Sequence, residues 1–119
     1  QRVSIMRALA YDPAILFMDE PFGALDVQTR DLLEDDILRI WSESHKTIVF
    51  VTHDLSEAII LADRVILMTS RPGTIKNVYR INLPRPRDTE FRLRPEFQTI
   101  LREIWADLSA EVKRSRNMQ

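Results

Sequence analysis

Ile15-Leu16-Phe17-Met18-Asp19-Glu20-Pro21-Phe22-Gly23-Ala24-Leu25-Asp26 decides the fold, because an apolar run of strand length ends in two carboxylates and a tight turn. Four apolar residues before an acidic pair read as a buried strand that delivers Asp19 and Glu20 to its mouth. Inside a sheet such a pair would be costly. At a strand's C-terminal end one carboxylate can hold magnesium while its neighbour accepts a proton from water. Consecutive strand residues point to opposite sides, which permits that division. The chemistry implied is that of phosphates. Yet no GxxxxGK[ST] loop occurs anywhere in the 119 residues, so half of the expected site is not in this sequence.

Working outward, Arg2 to Ala10 reads as a helix with Ile5, Met6 and Leu9 on one side, stopped by Asp12-Pro13. Its opening at Gln1 already has the character of helix interior, so the chain is expected to continue upstream. After Asp26, a plausible N-cap, Leu32, Leu33, Ile37, Ile40 and Trp41 recur at helical spacing, with Asp31, Glu34, Asp35 and Glu43 free to face water. Thr47-Ile48-Val49-Phe50-Val51 is β-branched and apolar, as a parallel strand covered on both faces should be. Asp54 and Glu57 are spaced as an N-cap and its N3 partner at the head of a helix through Leu61. Arg64 to Met68 is a third strand. The succession of strands and helices predicts an α/β fold with a mostly parallel sheet flanked by helices.

Beyond Thr69 the pattern changes. Arg71-Pro72-Gly73 suits a turn, Thr74 to Leu83 an extended and more exposed strand, and Pro84-Arg85-Pro86-Arg87 stops the sheet. Phe97, Ile100, Leu101, Ile104, Trp105 and Leu108 mark the apolar face of a last helix, leaving Lys113, Arg114 and Arg116 as a basic tail. No internal repeat is evident.

Composition narrows the classes of function. With 45% apolar and 29% charged residues the chain is ordinary for a small globular domain, and it has no apolar run of membrane-spanning length. Its 17 basic and 18 acidic side chains nearly cancel, so no overall field draws it to nucleic acid or an anionic bilayer. Cysteine is absent, which removes disulfide and thiolate chemistry, and two well-separated histidines argue against structural zinc.

Of those histidines, His53 ends the second strong strand. Successive parallel strands end on one rim, so His53 can approach the phosphate that Glu20 approaches. Taken alone it reads equally as a hydrogen-bonded structural histidine. His45 lies in a polar Ser-His-Lys turn and is left out of the site. Asp26 either caps the long helix or reaches a neighbouring surface, and both roles can coexist. Pro21 fixes the exit from the strand, and Gly23 is expected to permit a conformation or close approach that larger residues resist, although a plain loop explains both.

These residues together resemble the ATP-binding subunit of ABC importers, over its C-terminal half to two-thirds. Gln1-Arg2 and Val3 to Ala10 resemble the end of the signature motif and its helix, Ile15 to Glu20 the Walker B strand, Pro21 to Asp26 the D-loop, and Val51-Thr52-His53-Asp54 the switch-histidine segment. The Phe-Gly-Ala-Leu-Asp form and the Leu83-Pro84-Arg85-Pro86 ending look most like the nitrate, sulfonate and taurine importer branch. The resemblance implies part of a P-loop NTPase nucleotide-binding domain over 1–87 and a C-terminal helical extension over 88–119. It implies ATP and Mg2+ as cofactors, with Asp19 at the metal, Glu20 activating water, His53 at the terminal phosphate and Asp26 at the dimer interface. Asp19, Glu20 and His53 would together form the cofactor-binding set.

The partners implied are a second ATP-binding subunit, transmembrane permease subunits and a solute-binding protein acting through them, with no nucleic acid. The location implied is peripheral, on the cytoplasmic face of the cell membrane. Without a lysine and amide cradle for the phosphates, these 119 residues alone are expected to be catalytically silent. Two other readings stay open: an ABC-type ATPase of DNA repair or chromosome organisation, and a noncatalytic protein-interaction remnant.

Overall fold

Side-chain alternation makes Ile15–Asp19 a strand, β1, with Leu16 and Met18 buried and Ile15, Phe17 and Asp19 exposed. The computed structural model describes residues 14–117, so the helix expected over Arg2 to Ala10 lies outside the described residues. Thr47–Val51 forms β2 and pairs parallel with β1, from Ile15 opposite Thr47 to Asp19 opposite Val51. Both strands therefore end at one rim. Val49 and Val51 are exposed, as are Ile15 and Phe17, so burial on both faces, expected of a covered parallel strand, is not what the described residues show.

Between these strands runs α1, Val27–Ser44. Asp26 caps it as its spacing indicates: the carboxylate accepts from the Thr29 amide at 2.7 Å. His45 closes the helix in the left-handed region at φ 54° and donates its amide to the Trp41 carbonyl at 2.7 Å. That gives His45 a structural task. The buried face of α1 is Leu33, Glu34 and Ile37, whereas Leu32 is exposed. The sequence reading had placed Leu32 inside and Glu34 in water. At about 100° per residue Leu32 lies about 140° around the helix from Ile37, while Glu34 sits beside it. Phe22 is fully buried, and its ring centroid is 5.5 Å from that of Phe50.

The chain divides after Asp54 into two units, and Leu55 opens the second. There α2, Leu55–Leu61, buries Glu57, Ile59 and Ile60. Strand β3, Arg64–Met68, pairs antiparallel with β4, Ile75–Arg80, with an irregularity between Leu67 and Met68. The α/β class holds, and among the described residues β1 and β2 pair parallel while β3 and β4 pair antiparallel. The physical reason lies in the connection: residues 69–74 are too few for the crossover that a parallel neighbour requires. Thr69 ties this turn, its amide donating to the Thr74 carbonyl at 2.7 Å and its hydroxyl accepting from the Thr74 amide at 2.9 Å.

A short 3-10 turn, Thr89–Leu93, capped by Asp88, leads into α3, Pro95–Asn117. Phe97, Ile104 and Glu111 are its buried residues, spaced two helical turns apart, while Trp105, expected on the apolar face, is exposed. The basic tail is helical too. Arg114 donates to Glu111 at 2.5 Å, Lys76 lies 3.8 Å from the same carboxylate, and the Ser70 amide donates to it at 3.3 Å. Tyr79 and Asn77 of β4 both donate to the Asp107 carboxylate. Arg87, buried, donates to the carbonyls of Ile59, Ala62 and Leu83 at 2.9, 2.7 and 3.0 Å. It thereby caps the C-terminal end of α2 and fastens residues 81–87 to it.

Candidate functional site

Glu20 is the residue at which β1 stops. Its amide donates to the Val51 carbonyl at 2.7 Å, continuing the ladder one step, and its own φ of 44° then turns the chain away. A glutamate in the left-handed region is held there at a cost of about 1–3 kcal/mol. The sequence reading leaves Gly23 open between a special conformation or close approach and a plain loop. Gly23 has no positive φ, and a Cβ built on it would meet the Glu20 carbonyl oxygen at 3.6 Å, an ordinary contact. Of the two explanations open for Gly23, the plain loop holds, and the strain belongs to Glu20.

Across the rim, His53 follows β2, and its Nδ1 lies 2.8 Å from Glu20 Oε1. The structure thus brings together the two residues that the sequence nominated for catalysis, 33 positions apart. An ionised carboxylate only accepts, so the shared proton sits on Nδ1, leaving Nε2 directed to other partners. The side chains are 80% and 46% exposed, so the pair contributes only about 0–1 kcal/mol to stability and stays open to an incoming ligand.

Asp19, the last residue of β1, is exposed beside Glu20. Among the described residues no cluster of three or more histidine, cysteine, aspartate or glutamate side chains could hold a metal ion. One carboxylate nevertheless fits magnesium, which keeps several waters and takes its remaining ligands from phosphates. Asp26 is an N-cap, and the Thr29 amide bond is the main reason its carboxyl is held below the usual aspartate range.

Sequence reading missed Arg30. Its Nη1 donates to Asp54 Oδ2 at 3.1 Å, joining the first turns of α1 to the residue after His53. A cation this near a helix N-terminus opposes the macrodipole by about 0.3–1 kcal/mol, and that misplacement was the signal available.

No family model matches the chain. An uncharacterized ABC transporter ATP-binding protein of Methanocaldococcus jannaschii is 50% identical over 115 residues, 97% of this chain and 42% of its own length. The chain belongs to the ABC transporter ATP-binding family. A putative ATP-binding protein of Brucella melitensis is 49% identical over 105 residues, 88% of this chain and 44% of its own. The aliphatic sulfonates import ATP-binding protein SsuB of Bacillus cereus is 46% identical over 104 residues, 87% and 40%. The chain therefore spans about two fifths of the length of these relatives, less than the half to two-thirds expected. Among the described residues no helix is long and apolar enough to cross a membrane.

Proposed function

We propose that the chain is part of the ATP-hydrolysing subunit of an ABC importer for a small solute of the nitrate, sulfonate or taurine class. The observation that carries this reading is the Glu20–His53 contact at the common end of β1 and β2. Glu20 accepts a proton from the attacking water through the carboxylate oxygen that His53 does not engage. His53, oriented through Nδ1, presents its other nitrogen to the charge that develops on the terminal phosphoryl group. Doubly protonated, it donates there. Asp19 would hold magnesium through water, and the ion would supply neutralisation of phosphate charge.

Asp26 sits at the contact with a second ATP-binding subunit while capping α1, since the two roles are compatible. Residues 1–87 belong to the catalytic domain and 88–119 to a C-terminal extension. Permease subunits and a solute-binding protein complete the transporter, and the subunit binds peripherally at the cytoplasmic membrane face. The relative named for aliphatic sulfonate import favours transport over DNA repair or a noncatalytic remnant.

The test uses the full-length subunit. Glu20→Gln should lower single-turnover ATP hydrolysis by about 10²- to 10⁴-fold with ATP affinity largely kept. Undiminished hydrolysis of bound ATP removes Glu20 from the role of base.

A further inference from the structure

We infer that Arg30 is a positioning residue for ATP hydrolysis, acting through Asp54 on the turn that carries His53. The inference rests on the proposed role of His53. Residues 20–30 leave β1, turn and enter α1, while residues 52–54 leave β2 at the same rim. Side-chain contacts join these segments at both ends: Glu20 to His53 at 2.8 Å near the start of the first, and Arg30 to Asp54 at 3.1 Å at its end. The Asp54 amide also donates to Thr52 Oγ1 at 3.0 Å, which closes the turn on itself. His53 is therefore gripped through its ring on one side and through its neighbour's carboxylate on the other. Its ring is the exposed member, so water can take the place of the Glu20 contact, whereas the Arg30 and Asp54 side chains are only 29% and 34% exposed.

Arginine is a good helix former, but its charge and its buried Nε are poorly served at this place. The cation opposes the dipole of α1, and its Nε is buried with no hydrogen-bond partner among the described residues. A short polar residue at position 30 would avoid both costs. What the arginine provides is reach, from the helix to a loop 24 residues further along the chain.

A merely structural ion pair and a positioning one differ in what their loss changes. Displacing His53 by about 1 Å is enough to cost up to about 10²-fold in turnover while leaving the other groups that meet the nucleotide, Asp19 and Glu20, in place. In the full-length subunit, Arg30→Ala and Asp54→Ala should each lower single-turnover hydrolysis about 10- to 100-fold, with the Kd for ATP within about twofold of wild type. The double variant should be no worse than either single, and Arg30→Lys should recover part of the rate. Should Arg30→Ala not fold, Arg30→Lys and Asp54→Asn carry the same comparison. Nitrogen NMR of labelled His53 gives a second readout, in which the Nδ1-protonated signature weakens in the Arg30 variants. Unchanged hydrolysis, multiplying losses in the double variant, or an equal fall in ATP affinity would overturn the inference. Glu20→Gln, measured alongside, separates the two levels: if it hydrolyses normally the proposed function fails, and if it is inactive while Arg30→Ala is unimpaired, only the role of Arg30 fails.

Discussion

In residues 14–54 the acidic pair and the imidazole stand at a strand rim in reach of water, whereas in residues 55–117 Arg87 and Glu111 are buried, each among several partners. The first arrangement contributes little to stability and places a strained backbone at Glu20. The second is costly to assemble and costlier to interrupt, because a buried carbonyl or carboxylate deprived of its donor has no water to turn to. Charge at the rim is available for chemistry. Charge in the second unit is committed to holding α2, β4 and α3 together.

The largest effect that would break this contrast is expected at Arg87. Burial first, and then the neighbouring Arg85, push its guanidinium down to about 10, yet it remains a cation at neutral pH with several carbonyls on it. Arg87→Ala should destabilise the protein by roughly 3–5 kcal/mol in chemical denaturation. A loss under about 1 kcal/mol, no more than a surface ion pair gives, would show that the second unit does not depend on its buried charge.

A smaller effect is expected at Asp26, where stability and function meet. Asp26→Ala removes the α1 cap and should lower Tm by a few degrees without nucleotide. If Asp26 also serves the subunit contact, ATP-driven dimerisation in a Glu20→Gln background should weaken beyond what that stability loss explains. Lost stability with unchanged dimer affinity would reduce Asp26 to a cap.

The mildest effect concerns acid. Arg114, the Ser70 amide and Lys76 hold the Glu111 carboxyl below its usual range, against an opposing effect of desolvation. A depressed folded pKa stabilises above the unfolded value, ordinarily about 4.5, and that contribution is lost as pH falls through the lowered one. Glu111→Gln should flatten this acid limb in Tm measured from pH 6 to pH 3, and an unchanged slope would remove Glu111 as its source.

Much of this was legible in sequence. Apolar runs set β1, β2 and β3 close to their observed ends, and Asp26 declared itself as a cap. Glu20 and His53 were nominated because parallel strands share a rim. The misses have physical causes. Glu111 continues the Phe97–Ile104 spacing by another two turns, but a glutamate invites a solvent reading until Arg114 and the Ser70 amide are seen around it. Arg87 was read only as part of a proline-rich stop, since its partners are backbone carbonyls, which no sequence pattern announces. Glu20's left-handed φ is equally silent in the sequence, where Gly23 was the natural suspect.

The central claim is that Glu20 and His53 act as one hydrolytic unit, and a double-variant cycle on single-turnover hydrolysis in the full-length subunit tests it most directly. Glu20→Gln and His53→Ala should each slow hydrolysis of bound ATP by about 10²- to 10⁴-fold, and the double variant should be scarcely slower than the worse single. Losses that multiply in the double variant would contradict the account, because the two residues would then be acting independently despite their contact.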